Sequence, residues 1–266
     1  MAITKRDAPC TIIEFALVHR SASVWGGSER AWAEAWLVVI WSEQVSTEDC
    51  LGLMLERVLS RLAQAKRVNQ VVVATSVLPR DDVLAAFCEA QQYQCFRGDQ
   101  DDVLDRYYQT AKALGAQTVV RVTSDCPFID PEIVDVVIET HRRAGADYTS
   151  NVQEPRTFPR GLDVEVFTFE ALKRAWREDK NPAWREHVTP YLYRTPTTFH
   201  LEAVANETDF SAYRWTVDTP EDLDFARQLH AALPSEIFGW RDILNVLEVR
   251  PELILINGHI EQKKVE

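Results

Sequence analysis

A chain of 266 residues, 46% apolar and 26% charged, has room for one large α/β domain or two small ones with a sizeable core. Its 41 acidic residues outnumber 29 basic ones, and the net charge of −12 disfavours nucleic acid or anionic lipid as partners, because each requires a basic footprint. No run approaches the ~18 apolar residues of a membrane span and no apolar leader follows the N-terminus, while the five cysteines lack metal or disulfide spacing; the expectation is a cytoplasmic protein with reduced thiols and no membrane contact.

In chain order, Thr11, Ile12 and Ile13 read as a first strand. Residues 14–50 are atypical, because Trp25, Trp32, Trp36 and Trp41 fit no regular period, and the segment is expected to be the least well packed. From 56 onward, short apolar runs alternate with amphipathic stretches. The spacing predicts a helix over 56–66, a buried strand over 71–75, a helix over 81–91, a short strand at 95–96, a helix over 101–114 and a strand over 118–123. Asp130 and Pro131 then open another helix with a cap and an N1 proline. This order implies a mostly parallel sheet flanked by helices, with ligands beyond the carboxyl ends of the strands. Residues 147–215 read as a smaller β-containing excursion, with strands at 164–167 and 199–204 and helical stretches at 170–176 and 185–193. A strand over 213–217 returns to the sheet, followed by helices at 219–233, 240–247 and 251–256.

Several clusters fall at the expected carboxyl edge. Asp125 leaves the 118–123 strand where a carboxylate would suit Mg²⁺, although on position alone a turn aspartate before proline is the favoured reading. Asp218 repeats the arrangement, with helix capping by Asp218 or Thr219 as the alternative. Arg97, Gly98 and Asp102 lie between a strand and a helix start, suited to an acceptor-rich ligand or to plain capping. Asp163 and Glu165 are two apart and share a strand face, which suits sugar hydroxyls or a solvated face. Glu186 and His187 form a pair at a helix start, with a capped, exposed histidine as the bland reading.

Taken in order, these stretches form a recognisable pattern: Val-Val-Ala-Thr-Ser76, Arg97-Gly-Asp-Gln-Asp-Asp-Val-Leu-Asp-Arg-Tyr-Tyr108, Arg121-Val-Thr-Ser-Asp-Cys-Pro127, Phe158-Pro-Arg-Gly-Leu-Asp-Val-Glu165, Arg185-Glu-His-Val-Thr-Pro-Tyr191 and Trp215-Thr-Val-Asp-Thr-Pro-Glu-Asp-Leu223. Together they resemble the spore-coat-polysaccharide cytidylyltransferase-like family, related to acylneuraminate and ketodeoxyoctulosonate cytidylyltransferases. The resemblance covers about 51–260 and implies a nucleotide-diphosphosugar-transferase-like α/β fold, with 1–266 as a single nucleotidyltransferase-like domain. It implies the joining of CTP to a sugar, an acidic nine-carbon or related one, with release of pyrophosphate in surface polysaccharide or glycoconjugate synthesis. By the same resemblance, Asp125 and Asp218 would be catalytic Mg²⁺ ligands, and Arg97, Gly98 and Asp102 would line the nucleotide pocket. Arg160, Asp163, Glu165, Glu186 and His187 would face the sugar, with a homodimer partner contributing through 147–215. A glycosyltransferase of the same fold and a noncatalytic nucleotide- or sugar-binding homologue are the rival functions.

The pattern breaks at the N-terminus. Such proteins wrap triphosphate with a loop carrying an arginine and a lysine after the first strand. Here no lysine occurs between Lys5 and Lys66, and only Gly26-Gly27 could imitate that loop. Either Arg20 or Arg30 substitutes, or the protein binds without reacting, or 14–50 is read in the wrong frame; impaired turnover is expected.

Overall fold

The computed structural model describes residues 35–40 and 48–262, with side chains from Met54 onward. Apolar, β-branched runs build β1 (Ala35–Ile40), β2 (Gln70–Ser76) and β4 (Thr118–Thr123), and the more polar, partly exposed β3 (Gln94–Gly98) lies at the edge beside β2. All three pairings among them are parallel, and parallel strands covered on both faces select such apolar runs. Three further strands, β5 (Tyr148–Ser150), β6 (Glu165–Thr168) and β7 (Leu201–Ala203), complete the order β3-β2-β1-β4-β6-β5-β7. β6 runs antiparallel to both β4 and β5, and β7 is parallel to β5. The sheet is therefore mixed: parallel from β3 to β4, with antiparallel pairing beyond.

Alternation along β4 shows why the layers form. Val120 and Val122 point into one core with α1 (Glu48–Leu62), α2 (Asp82–Ala90), α4 (Pro131–Ala144), α8 (Pro220–Ala232) and α9 (Trp240–Val249). Val119 points into the opposite core with α3 (Val103–Leu114) and α5 (Phe169–Glu178). Two short helices, α6 (Pro182–His187) and α7 (Pro190–Tyr193), follow α5, and α10 (Ile254–Asn257) comes last. Helix starts follow local chemistry. Asp130 accepts hydrogen bonds from the amides of Glu132 and Ile133 ahead of α4, and Thr219 with Asp222 forms a reciprocal capping box on α8.

Three expectations need correction. Part of 14–50 is regular, since Ala35–Ile40 is the strand between β2 and β4; the Thr11–Ile13 stretch, Trp25, Trp32 and Trp41 lie outside the described residues. The strands of 147–215 are the continuation of the same sheet, not an excursion from it, because β6 pairs with β4. The segment 213–217 is no strand. It is irregular backbone joined to Arg160 by one bridge at Arg214.

That bridge explains Gly161. The chain approaches so closely that a Cβ at Gly161 would lie 2.6 Å from the Thr216 nitrogen, and its φ of +98° is hostile to any side chain. Gly161→Ala is expected to destabilise the fold by about 2 kcal/mol or more, measured as a lowered urea midpoint. A midpoint equal to wild type would show that the segment can move away freely.

Candidate active site

The carboxyl edge of the parallel strands gathers the acidic pair. Asp125 follows β4 by two residues, and its backbone carbonyl accepts hydrogen bonds from the Val217 amide (2.9 Å) and Thr216 Oγ1 (3.3 Å). This ties 216–218 to the end of β4 and brings the Asp218 carboxyl close enough to Asp125 for each to act on the other's charge. Burial raises the Asp218 carboxyl from its usual 3.8 to about 6, the Asp125 charge adds to the rise, and Arg214 opposes it. The buried Arg214 guanidinium reaches Asp218 Oδ2 at 2.7 Å and grips Asp222 through both Nε and Nη2 at 2.8 Å. Asp222 is fully buried and also accepts from Asn257 Nδ2 at 2.8 Å. Asp218 is thus aimed by a rigid support and is not itself the cap of α8, a role taken by Thr219.

Two adjoining carboxylates offer hard oxygen donors of the kind Mg²⁺ takes. No third His, Cys, Asp or Glu side chain completes a cluster among the described residues, so water and phosphate oxygens would fill the remaining positions. The raised Asp218 value has a signed consequence. Its contribution to stability is fully present below pH 3.8 and is lost as pH rises through about 6, because the folded state holds the proton more tightly. Millimolar Mg²⁺ is expected to restore stability mainly above that range and to lose affinity below it. Urea titrations between pH 4 and 7 with and without Mg²⁺ test this, and a metal effect independent of pH would contradict it.

The other sequence-singled residues are distributed differently. The Arg97 guanidinium is held by the carbonyls of Ser76 (2.8 Å) and Leu78 (2.9 Å) and by Asp82 (2.7 Å), so it clamps the loop after β2. Gly98 gives room to the stem of Arg106, whose Cγ would lie 3.1 Å from an added Cβ. Asp102 caps α3 through the Asp105 amide and pairs with Arg185 at 2.7 and 2.9 Å, so the capping role open in the sequence is the one built.

On the other side of the sheet's centre, Glu165 is buried. It pairs with Arg121 across the β4–β6 register and accepts from Tyr148 Oη (2.7 Å) and Thr189 Oγ1 (2.6 Å). Asp163 pairs instead with Arg156 and lies near enough to Cys126 to help raise its thiol pKa, after burial and Asp125. Arg160 is half-buried, and its guanidinium makes no hydrogen bond or ion pair with a described residue. Glu186 and His187 are exposed in the last turn of α6 and not at a helix start as expected, because positive-φ Val188 breaks the 185–193 stretch into two helices. His187 is close enough to Arg121 and Glu165 to feel both charges. Sequence reasoning did not single out Arg106, Arg121, Arg156 or Arg214; for Arg214 the signal was its spacing of four and eight residues from Asp218 and Asp222.

The profile of the cytidylyltransferase family matches residues 52–254, which spans both aspartates and every strand from β2 onward. The chain belongs to the cytidylyltransferase family. It is a nucleotidyltransferase. An uncharacterized protein of Methanocaldococcus jannaschii is 33% identical over 216 residues, covering 79% of this chain and 86% of that protein. The spore coat polysaccharide biosynthesis protein SpsF of Bacillus subtilis is 32% identical over 187 residues, 68% of this chain and 75% of its own length. Among solved structures, a cytidylyltransferase from Leptospira borgpetersenii superposes with a TM-score of 0.77 at 28% identity, covering 88% of this chain and all of that one. Among the described residues of this cytidylyltransferase, no helix is long and apolar enough to cross a membrane.

Proposed function

We propose that this cytidylyltransferase joins CTP to an acidic sugar, of nine carbons or a related kind, and releases pyrophosphate, supplying surface polysaccharide or glycoconjugate synthesis. The observation that carries the reading is the Asp125–Asp218 pair at the carboxyl edge, where a nucleotide's phosphates belong in such sheets. Asp125 and Asp218 are the residues that would hold Mg²⁺, which when bound supplies positive charge against phosphate oxygens. Arg214 fixes the direction of Asp218, and Thr216 and Val217 fix the β4 turn against it.

In the proposed reaction the sugar hydroxyl attacks the α-phosphorus in line. The new P–O bond forms as the bond to the β-phosphate breaks, the hydroxyl proton passes to water, and pyrophosphate departs with the electron pair of the broken bond. Arg160 supports an acidic sugar, because its guanidinium is the half-buried cation beside Asp163 and Arg214 with no partner among the described residues. His187, Arg121 and Glu165 form the wall proposed to face the sugar, with Glu165 acting through Arg121. Arg97 and Asp102 support the nucleotide side by holding its loops, and a homodimer is the proposed assembly. Turnover is proposed to be slow, because no lysine stands between Lys5 and Lys66 to wrap the triphosphate.

Pyrophosphate release with CTP and Mg²⁺ across a panel of acidic and neutral sugars tests the reading. Release with CTP exceeding that with UTP or ATP, dependent on an acidic sugar, is expected. Transfer of a sugar from a nucleotide sugar to an acceptor, with no pyrophosphate released from CTP, would replace it.

A further inference from the structure

We propose that Arg106 reads the base of the nucleotide, donating from its guanidinium to the N3 and O2 acceptors of cytosine and thereby selecting CTP over UTP. The inference rests on the cytidylyltransferase reading and adds a specificity residue to it. Arg106 sits one turn into α3 and is only 3% exposed, yet its Nε has no hydrogen-bond partner among the described residues. Asp81 and Asp99 are near enough to act on its charge, but neither forms an ion pair with it. Buried donors are nearly always satisfied, and a buried arginine whose Nε finds no partner among the described residues is one that a ligand can complete.

Its direction follows from the fold. α3 connects parallel β3 and β4, so its N-terminus lies at the carboxyl edge, and helical side chains lean toward the N-terminus. The Arg106 stem crosses over Gly98, where an added Cβ would lie 3.1 Å from Cγ and 3.2 Å from Cβ of Arg106. Gly98 pairs with Ser76 at the end of β2, beside the loop that Arg97 clamps.

Register then separates base from phosphate. Ala74, Ile40 and Thr123 are aligned across β2, β1 and β4, so Ser76 and Asp125, two residues further on, share a level at the sheet edge. Gly98 shares it too, three strand positions from β4, which is about 14 Å. A nucleotide whose phosphates meet Asp125 and Asp218 can lay its base toward Arg106. The surroundings favour a neutral acceptor over a polyanion, because Asp81, Asp99, Asp101 and Asp102 crowd this end of the sheet. An arginine offers donors only. Cytosine presents adjacent N3 and O2 lone pairs to that fork, whereas uracil would oppose it with an N3–H donor.

Arg106→Met keeps an apolar stem over Gly98 and removes the donors. kcat/KM with CTP and UTP, and calorimetric affinities for CTP, UTP and 3-deaza-CTP, would be measured for wild type and variant. Wild type is expected to bind 3-deaza-CTP, which lacks the N3 acceptor, about tenfold more weakly than CTP. Arg106→Met is expected to bind the two equally and to lose at least about tenfold of the CTP:UTP ratio. A folded variant that keeps the wild-type ratio would overturn the assignment. If the variant does not fold, wild type that binds 3-deaza-CTP as tightly as CTP overturns it instead. Wild type that fails to distinguish CTP from UTP, or binds neither, overturns the cytidylyltransferase reading itself and this inference with it.

Discussion

Asp125→Ala should lower pyrophosphate release from CTP by about 10²–10³-fold or more while leaving the fold intact. The two effects separate because Asp125 serves structure through its backbone and the proposed chemistry through its side chain. Its carbonyl, which receives Val217 and Thr216, survives the substitution, and the only described side-chain hydrogen bond lost is the one from Cys126 Sγ. Removing its charge also relieves repulsion, so the Asp218 carboxyl should fall from about 6 toward its usual 3.8 and the loss of stability with rising pH should shrink. Asp222→Ala makes the contrasting control. It takes a fully buried partner from buried Arg214, which still has Asp218, and its first effect should be a loss of stability of about 3 kcal/mol. Steady-state rates, Mg²⁺ affinity and urea midpoints for both variants decide the matter. Asp125→Ala retaining activity within tenfold of wild type would remove the pair from the reaction.

How much of this was legible in the sequence depends on whether a residue's neighbours were local. The elements from β2 to α5, apart from the three-residue β5, follow period and punctuation, because Val72 and Val73, Gly115, Asp130 with Pro131, and Thr168 each act within a few positions. The aspartates were visible because each ends an extended stretch before a turn. Their contact was not, since it depends on Gly161 admitting the 214–216 backbone at close range, a pairing more than fifty residues apart. Residues 213–217 misled for a related reason. Trp215 and Val217 are buried as in a strand, yet their backbone is held by Arg160 and Asp125 and not by a ladder. The partners of Glu165 were not legible, because Arg121, Tyr148 and Thr189 come from β4, β5 and the turn before α7. β1 was obscured because Ala35–Ile40 stands among tryptophans whose spacing has no period, although the run itself is what a doubly covered parallel strand requires.

Replacing the residues before Leu51 with a relative's segment that carries the arginine and lysine of the triphosphate loop should raise pyrophosphate release from CTP by about 10²–10³-fold. The proposed machinery from β2 onward does not depend on that segment's composition. Among the described residues, the contacts that set Asp125, Asp218 and Arg214 all come from residues after 120, and the family match begins at residue 52. What the native segment lacks is a lysine for the triphosphate, having none after Lys5, with Arg20 and Arg30 as its remaining candidate cations. Departing pyrophosphate gathers negative charge as the bond to the α-phosphate breaks, and fixed cations stabilise that state more than the starting one. The exchange should therefore act on kcat more than on the affinity for CTP. The transplanted segment must also bring a strand that can stand between β2 and β4 as Ala35–Ile40 does, so its urea midpoint has to match or exceed the native one for the comparison to hold. A well-folded exchange variant no faster than wild type would show that the native segment already meets the phosphates, with Arg20 or Arg30 as the residues to replace next. A rise in kcat at unchanged CTP affinity would place the defect in leaving-group stabilisation.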